Sequence, residues 1–269
     1  MNVISNILIN NRQKSYCSLI PFITAGYPSI EMTLKILYQL DAQGADIIEL
    51  GLPYSDALAD GPLIQKSSEL AIKQGFSFDD MLTILNTVTS NLKAPIVVFT
   101  YYNPVLVRGL DKFVCEISCN GAKGLIVPDL PIEETDYLIY LCSIYNIELI
   151  LFIAPNSSNK RISMILSKSP GCLYLVSSKG VTGLRSNINI SIKAFSSSIK
   201  SRTEKLLMLG FGISSPEQVS ELINFDIDGI VIGSAFIQIL VDTNLDNKSI
   251  LNKIGSFCYT IKNACSRKR

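Results

Sequence analysis

A (β/α)₈ TIM barrel with an extra N-terminal helix is the fold this sequence predicts, as a single α/β domain over residues 1–269. Three observations predict it. Short β-branched runs recur along the chain, each followed by a turn signal and then by a helical pattern. The runs are continuously apolar rather than alternating, as expected of parallel strands covered on both faces. Eight such units in about 250 residues fill one closed barrel; a doubly wound open sheet shows the same alternation with fewer strands.

In chain order, the extra helix is expected around residues 2–12. The strands are expected at SLIPFIT (18–24), DIIEL (46–50), PIVVFT (95–100), GLIVP (124–128), ELILFIA (148–154), CLYLVS (172–177), KLLMLG (205–210) and GIVIG (229–233). After the first strand, MTLKILYQLDAQG (32–44) sets Ile36, Leu37 and Leu40 on one helix face and ends at Gly44, a C-capping residue. Before the last strand, Ser215 stands as an N-cap ahead of Pro216, with Gln218 at capping-box spacing. No linker, repeat or low-complexity segment interrupts this series.

Composition narrows the chemistry. The chain is 48% hydrophobic, enough to build a sizeable core, and its 24 basic and 23 acidic side chains nearly cancel. That balance gives no electrostatic reason to expect nucleic acid or an acidic membrane as partner. There is no histidine. Its absence excludes Ser-His-Asp and Cys-His catalysis, His-ligated zinc and any imidazole base. The seven cysteines (17, 115, 119, 142, 172, 258, 265) are scattered and include no C-x-x-C pair, as expected of thiols in a reducing compartment. The N-terminal MNVISNILINNRQK lacks an apolar core and a small-residue cleavage site, so no secretory signal is expected. Abundant Ile, Asn, Ser and Lys suggest AT-rich coding, bacterial or organellar. The expected compartment is the cytoplasm, or the plastid stroma if the gene is organellar.

In a barrel of this kind the active site lies at the carboxyl ends of the strands. Alternation along the second strand sets Ile48 and Leu50 toward the helices and Glu49 into the barrel near its mouth. A carboxyl there is short of water and biased toward its protonated form, as a general acid requires. The alternative is a structural Glu paired with a lysine. The loop at 51–62 is long and carries Asp56 and Asp60; Asp60, ahead of Gly61-Pro62, serves either as a functional carboxylate or as a turn former. Glycines follow the last three strands at Gly180-Val-Thr-Gly183, Gly210-Phe-Gly212 and Gly233-Ser234. Such sites let main-chain N–H groups approach an anion, and a phosphate held after strands seven and eight is a recurring feature of this barrel. Phe22, Tyr102, Phe152, Tyr174 and Phe211 stand at strand ends, where they line an aromatic pocket or complete the core. Lys179 is a possible Schiff-base nucleophile, although it sits in a loop rather than inside a strand.

Several segments resemble one family. PFITAGYPS, the E-L-G-x-P-x-S-D-x-x-A-D-G-P-x-I-Q run at 49–65, YYNP, VPDLPIEE, Gly-Val-Thr-Gly and Gly-Phe-Gly-Ile are similar to the tryptophan synthase alpha subunit from about residue 16 to 240. The resemblance implies a barrel that cleaves indole-3-glycerol phosphate to indole and glyceraldehyde 3-phosphate. It implies catalytic roles for Glu49 and Asp60, phosphate contacts at Gly183, Gly212, Gly233 and Ser234, and a mobile-loop threonine at Thr182. It also implies an alpha2beta2 complex with a pyridoxal-phosphate beta subunit, with no cofactor in the alpha subunit itself. Asp56 and the Tyr101–Pro104 segment are then candidate beta contacts. Two positions depart from the family pattern: Ala57 stands where Pro is common, and Ser178-Lys179 where Arg is common. A stand-alone indole-releasing lyase, a Schiff-base aldolase using Lys179 and a degenerate regulatory barrel are the competing readings.

Overall fold

The structure is a computed structural model that describes residues 2–176, 185–210, 212–241 and 246–266, with only the backbone at 185–190. Its centre is a closed barrel of eight parallel strands in sequence order. They are β1 (Ser18–Thr24), β2 (Ile48–Gly51), β3 (Ile96–Phe99), β4 (Gly124–Ile126), β5 (Glu148–Ile153), β6 (Leu173–Val176), β7 (Leu207–Gly210) and β8 (Gly229–Ile232). The barrel closes where Ser18 to Pro21 of β1 pair with Gly229 to Ile232 of β8. Nearly every strand residue is buried, because helices cover the outer face and side chains fill the inner one.

The first half of the helical layer comprises α1 (Val3–Gln13), α2 (Ile30–Ala42), α3 (Pro62–Lys73), α4 (Phe78–Val88), α5 (Tyr102–Arg108) and α6 (Leu110–Cys119). The second half comprises α7 (Thr135–Ile144), α8 (Asn159–Lys168), α9 (Arg185–Lys200), α10 (Pro216–Leu222), α11 (Ser234–Leu240) and α12 (Asn247–Ala264). None of the described helices is long and apolar enough to cross a membrane.

Local chemistry explains the boundaries. Ile36, Leu37 and Leu40 are fully buried under α2. That helix ends in a Schellman pattern: Gly44 takes φ +91°, its N–H bonds Asp41 O, and Ala45 N–H reaches back to Leu40 O. At α10 the expected capping box is present, with Ser215 Oγ accepting from Gln218 N and Gln218 Oε1 accepting from Ser215 N. The second strand begins at Ile48, two residues later than expected. Asp46 instead anchors the strand's entry, accepting Leu19 N at 2.7 Å and pairing with Lys262 Nζ at 2.6 Å.

The amino-terminal pole of the barrel is closed by α1. Glu148, at the start of β5, is completely buried beneath it. Its carboxylate accepts Ser5 N at 3.1 Å, Ser5 Oγ at 2.5 Å and Cys172 N at 2.8 Å. The extra helix is thus tied to the bases of β5 and β6. The opposite pole, where the strands end, is left open to form a cleft.

Candidate active site

The cleft at the carboxyl pole is lined by Phe22, Glu49, Asp60, Phe99, Tyr174, Gly212, Gly233 and Ser234, with Ile64, Ile213 and Val231. Five strands and the segments after β2, β7 and β8 therefore converge on it. Register accounts for the first of these contacts: Phe22 of β1 stands directly opposite Glu49 of β2.

Glu49 is 1% exposed, and its Oε1 has no hydrogen-bond partner among the described residues. Among the described residues no lysine pairs with it, so none of these supplies the structural alternative raised by the sequence. Burial pushes its pKa up to about 8, with the nearby Asp60 carboxylate as a second, smaller cause. Near neutral pH the group therefore holds a proton. Desolvation is the dominant effect because the floor around it is made of Phe22, Phe99, Val231 and Tyr174.

Asp60 is buried at the end of the long loop after β2. Its amide bonds Ala57 O at 3.1 Å, so the turn-forming geometry exists, but the side chain does separate work. Asp60 Oδ2 accepts a hydrogen bond from Tyr101 Oη at 2.9 Å, and Tyr101 Oη in turn accepts from Ala59 N at 3.1 Å. Tyr101 is 2% exposed and is packed by Tyr54, whose ring centroid lies 5.3 Å away. Burial, followed by the Asp60 charge, raises the phenol's pKa and keeps Tyr101 a neutral donor.

This arrangement corrects the sequence reading at adjacent positions. Tyr102, expected in the pocket, opens α5, gives its amide to Asp129 Oδ1 at 2.8 Å, and does not line the cleft. Tyr101 carries the aromatic contact to the site instead, so its side chain is also unavailable as an outer-surface contact. One residue of register separates them: β3 ends at Phe99, and strand periodicity carries Phe99 and Tyr101 to the same side. Phe152 stacks on Tyr174 with centroids 4.6 Å apart but borders a neighbouring cavity formed by Val127, Leu130 and Ile132. It touches the cleft only through Tyr174.

The glycines divide by role. Gly212 takes φ +80° on the cleft wall, a conformation that disfavours larger side chains. Gly210 instead makes room for Tyr174: a Cβ there would sit 2.0 Å from the phenol oxygen. Gly233 and Ser234 border the cleft at the start of α11. Thr182, Gly183, Phe211, Ser178 and Lys179 lie outside the described residues. The sequence reading missed Phe99, Ile64, Ile213 and Val231; strand alternation through Phe99 could have found the first.

Fold and cleft together define a (β/α)₈-barrel enzyme with its pocket at the carboxyl ends of the strands. The chain matches the family described as tryptophan synthase alpha chain over residues 8–266. It is 58% identical over 262 residues to the tryptophan synthase alpha chain of Gracilaria tenuistipitata var. liui, covering 97% of this chain and 96% of that one. The counterpart from Antithamnion sp. is 53% identical, covering 98% and 99%. Among solved structures, tryptophan synthase subunit alpha from Legionella pneumophila superposes with TM-score 0.90 at 30% identity, covering 98% of each chain. The chain belongs to the tryptophan synthase alpha chain family. It is a lyase that acts on indole-3-glycerol phosphate, the alpha subunit of an enzyme whose other component is a beta subunit.

Proposed function

We propose that Glu49 is the acid–base group of the cleavage and Asp60 its electrostatic partner. The carrying observation is the Glu49 carboxyl, buried and with an oxygen that finds no hydrogen-bond partner among the described residues, on the floor of a cleft that also holds Asp60. The reaction is a retro-aldol in which the substrate's own indole ring serves as electron sink. Glu49 delivers its proton to ring carbon C3, giving an indolenine. Asp60 accepts the indole N–H and stabilises the positive charge that grows on it. The carboxylate left on Glu49 then takes the proton of the glycerol hydroxyl next to the ring. The carbon–carbon bond breaks, its electron pair restores the aromatic ring, and indole and an aldehyde leave. Glu49 ends protonated, ready for another turnover.

The substrate's phosphate binds main-chain amides around Gly212, Gly233 and Ser234, with Gly183 and Thr182 expected to complete the grip. Phe22, Phe99 and Tyr174 hold the ring; Phe22 and Phe99 meet edge to face at 5.6 Å. Phe211 is expected beside them. This subunit works without a cofactor of its own, and pyridoxal phosphate belongs to the beta subunit.

The beta partner docks on the cleft side in an alpha2beta2 assembly. Support comes from large apolar side chains left in solvent there: Leu58 on the loop after β2 is 83% exposed and Val107 on α5 is 80% exposed. Asp56 lies beside Leu58 on the same loop and is exposed as well. The compartment is a reducing one, the cytoplasm or, for an organellar gene, the plastid stroma. The direct test is indole release from indole-3-glycerol phosphate by the purified chain, with and without a beta subunit. Release that rises on adding beta supports both parts of the reading; no release in either condition contradicts it.

A further inference from the structure

Two of the seven cysteines stand apart. Cys115 and Cys119 lie one turn apart on α6, with Cys119 exposed and Cys115 half-buried, while the other five are buried. Their sulfurs are 3.9 Å apart and in contact. Asp111, one turn earlier on the helix, is engaged by Tyr145, whose hydroxyl donates to Asp111 Oδ1 at 3.2 Å. Neither cysteine borders the catalytic cleft.

Geometry selects the chemistry this pair can perform. A disulfide needs sulfurs about 2.05 Å apart and Cβ atoms about 3.5–4.5 Å apart. Helix residues four apart hold their Cβ atoms about 5–6 Å from each other. A Cys115–Cys119 disulfide would therefore have to open a turn of α6. Two sulfurs bound to one pyramidal three-coordinate centre, with bonds of about 2.3 Å and an angle somewhat below tetrahedral, stand about 3.5 Å apart; a linear centre would set them about 4.6 Å apart. The observed 3.9 Å lies nearer the bent arrangement, which a small side-chain adjustment reaches. A divalent metal needs about four ligands, and among the described residues no group of three or more Cys, Asp or Glu is placed to hold one. The remaining candidate is a thiophilic centre that takes two sulfurs and brings its third substituent with it.

We propose that Cys115 and Cys119 form a capture site for trivalent arsenicals, both sulfurs closing on one arsenic while α6 stays helical. In the step, an arsonous acid exchanges two hydroxyl groups for two sulfurs. Two As–O and two S–H bonds break, two As–S bonds form, and two waters leave. Arsenic stays trivalent, so no oxidant or reductant is required. The neighbouring Cys115 sulfur holds the Cys119 proton more tightly than usual, which further disfavours thiolate attack on disulfides.

The test treats the full chain with one equivalent of phenylarsonous acid, then with excess 2-mercaptoethanol, and reads intact mass. The expected result is one phenylarsenic group replacing two hydrogens, released by a 1,2-dithiol, with unchanged far-ultraviolet dichroism. Cys115→Ser and Cys119→Ser should each reduce retention at least tenfold. Failure of any adduct to survive the monothiol, or retention in either variant equal to that of the parent, overturns the assignment. Facile formation of a Cys115–Cys119 disulfide by oxidised glutathione in the folded protein also overturns it, because the helix would then not hold the sulfurs apart.

Discussion

The protonated Glu49 carboxyl governs what happens at the scale of single residues. Its folded pKa, about 8, lies above its unfolded value near 4.5. The native state therefore binds more protons than the unfolded state across that interval, and stability falls as pH rises from about 4.5 to about 8. Glu49→Gln is neutral in both states and escapes the loss. Its melting temperature should exceed that of the parent by a margin that widens between pH 5 and pH 8; a constant margin would contradict the burial argument. The same substitution should lower turnover by ~10²–10⁴-fold with little change in KM, as steady-state indole release would show. Tyr101 is expected to act through Asp60, to which its hydroxyl donates. Tyr101→Phe removes one donor to a buried carboxylate and should cost about tenfold in kcat/KM. If its effect falls on stability alone, with kinetics intact, Tyr101 is only packing.

At the scale of elements, the legibility of the sequence tracks periodicity. Continuous apolar runs located all eight strands because parallel strands buried on both faces have no other pattern. The inward aim of Glu49 followed from alternation within β2, and the α10 start followed from Ser215 and Gln218. The misplacement of Tyr102 arose at the end of β3, where no local signal separates the last inward residue of a strand from the first residue of a helix. Phe152, expected to line the pocket from the end of β5, is separated from the cleft by Tyr174, a tertiary fact without a sequence signature. The crossing of β6 and β7 supplies a test. Gly210 does not have a positive φ, so Gly210→Ala meets no backbone objection, but its Cβ would collide with Tyr174. The substitution should displace that ring and raise KM several-fold, measurable in the same assay; unchanged kinetics would show that Tyr174 does not shape the cleft.

The whole molecule separates stability from chemistry along the barrel axis. Glu148 at one pole is buried with its hydrogen bonds made, whereas Glu49 at the other is buried with an oxygen lacking one among the described residues. Two carboxyls at opposite poles of one barrel are thus proposed to carry opposite duties, set by the donors around them. Glu148→Ala leaves the Ser5 and Cys172 amides without their acceptor and loosens α1. Chemical denaturation should report a loss of roughly 3 kcal/mol, while kcat/KM under native conditions stays within about twofold. A large catalytic defect with intact stability would contradict this division. The exposed Leu58 and Val107 lie on the segments after β2 and β3, where the proposed partner footprint sits beside the cleft.

The most direct measurement is infrared difference spectroscopy of the Glu49 carboxyl, comparing the parent with Glu49→Gln across pH. The account predicts a protonated carboxyl C=O band at pH 7 that is absent in the variant and titrates away near pH 8. Ionisation of that group between pH 4 and 5, like an ordinary glutamate in water, would contradict it.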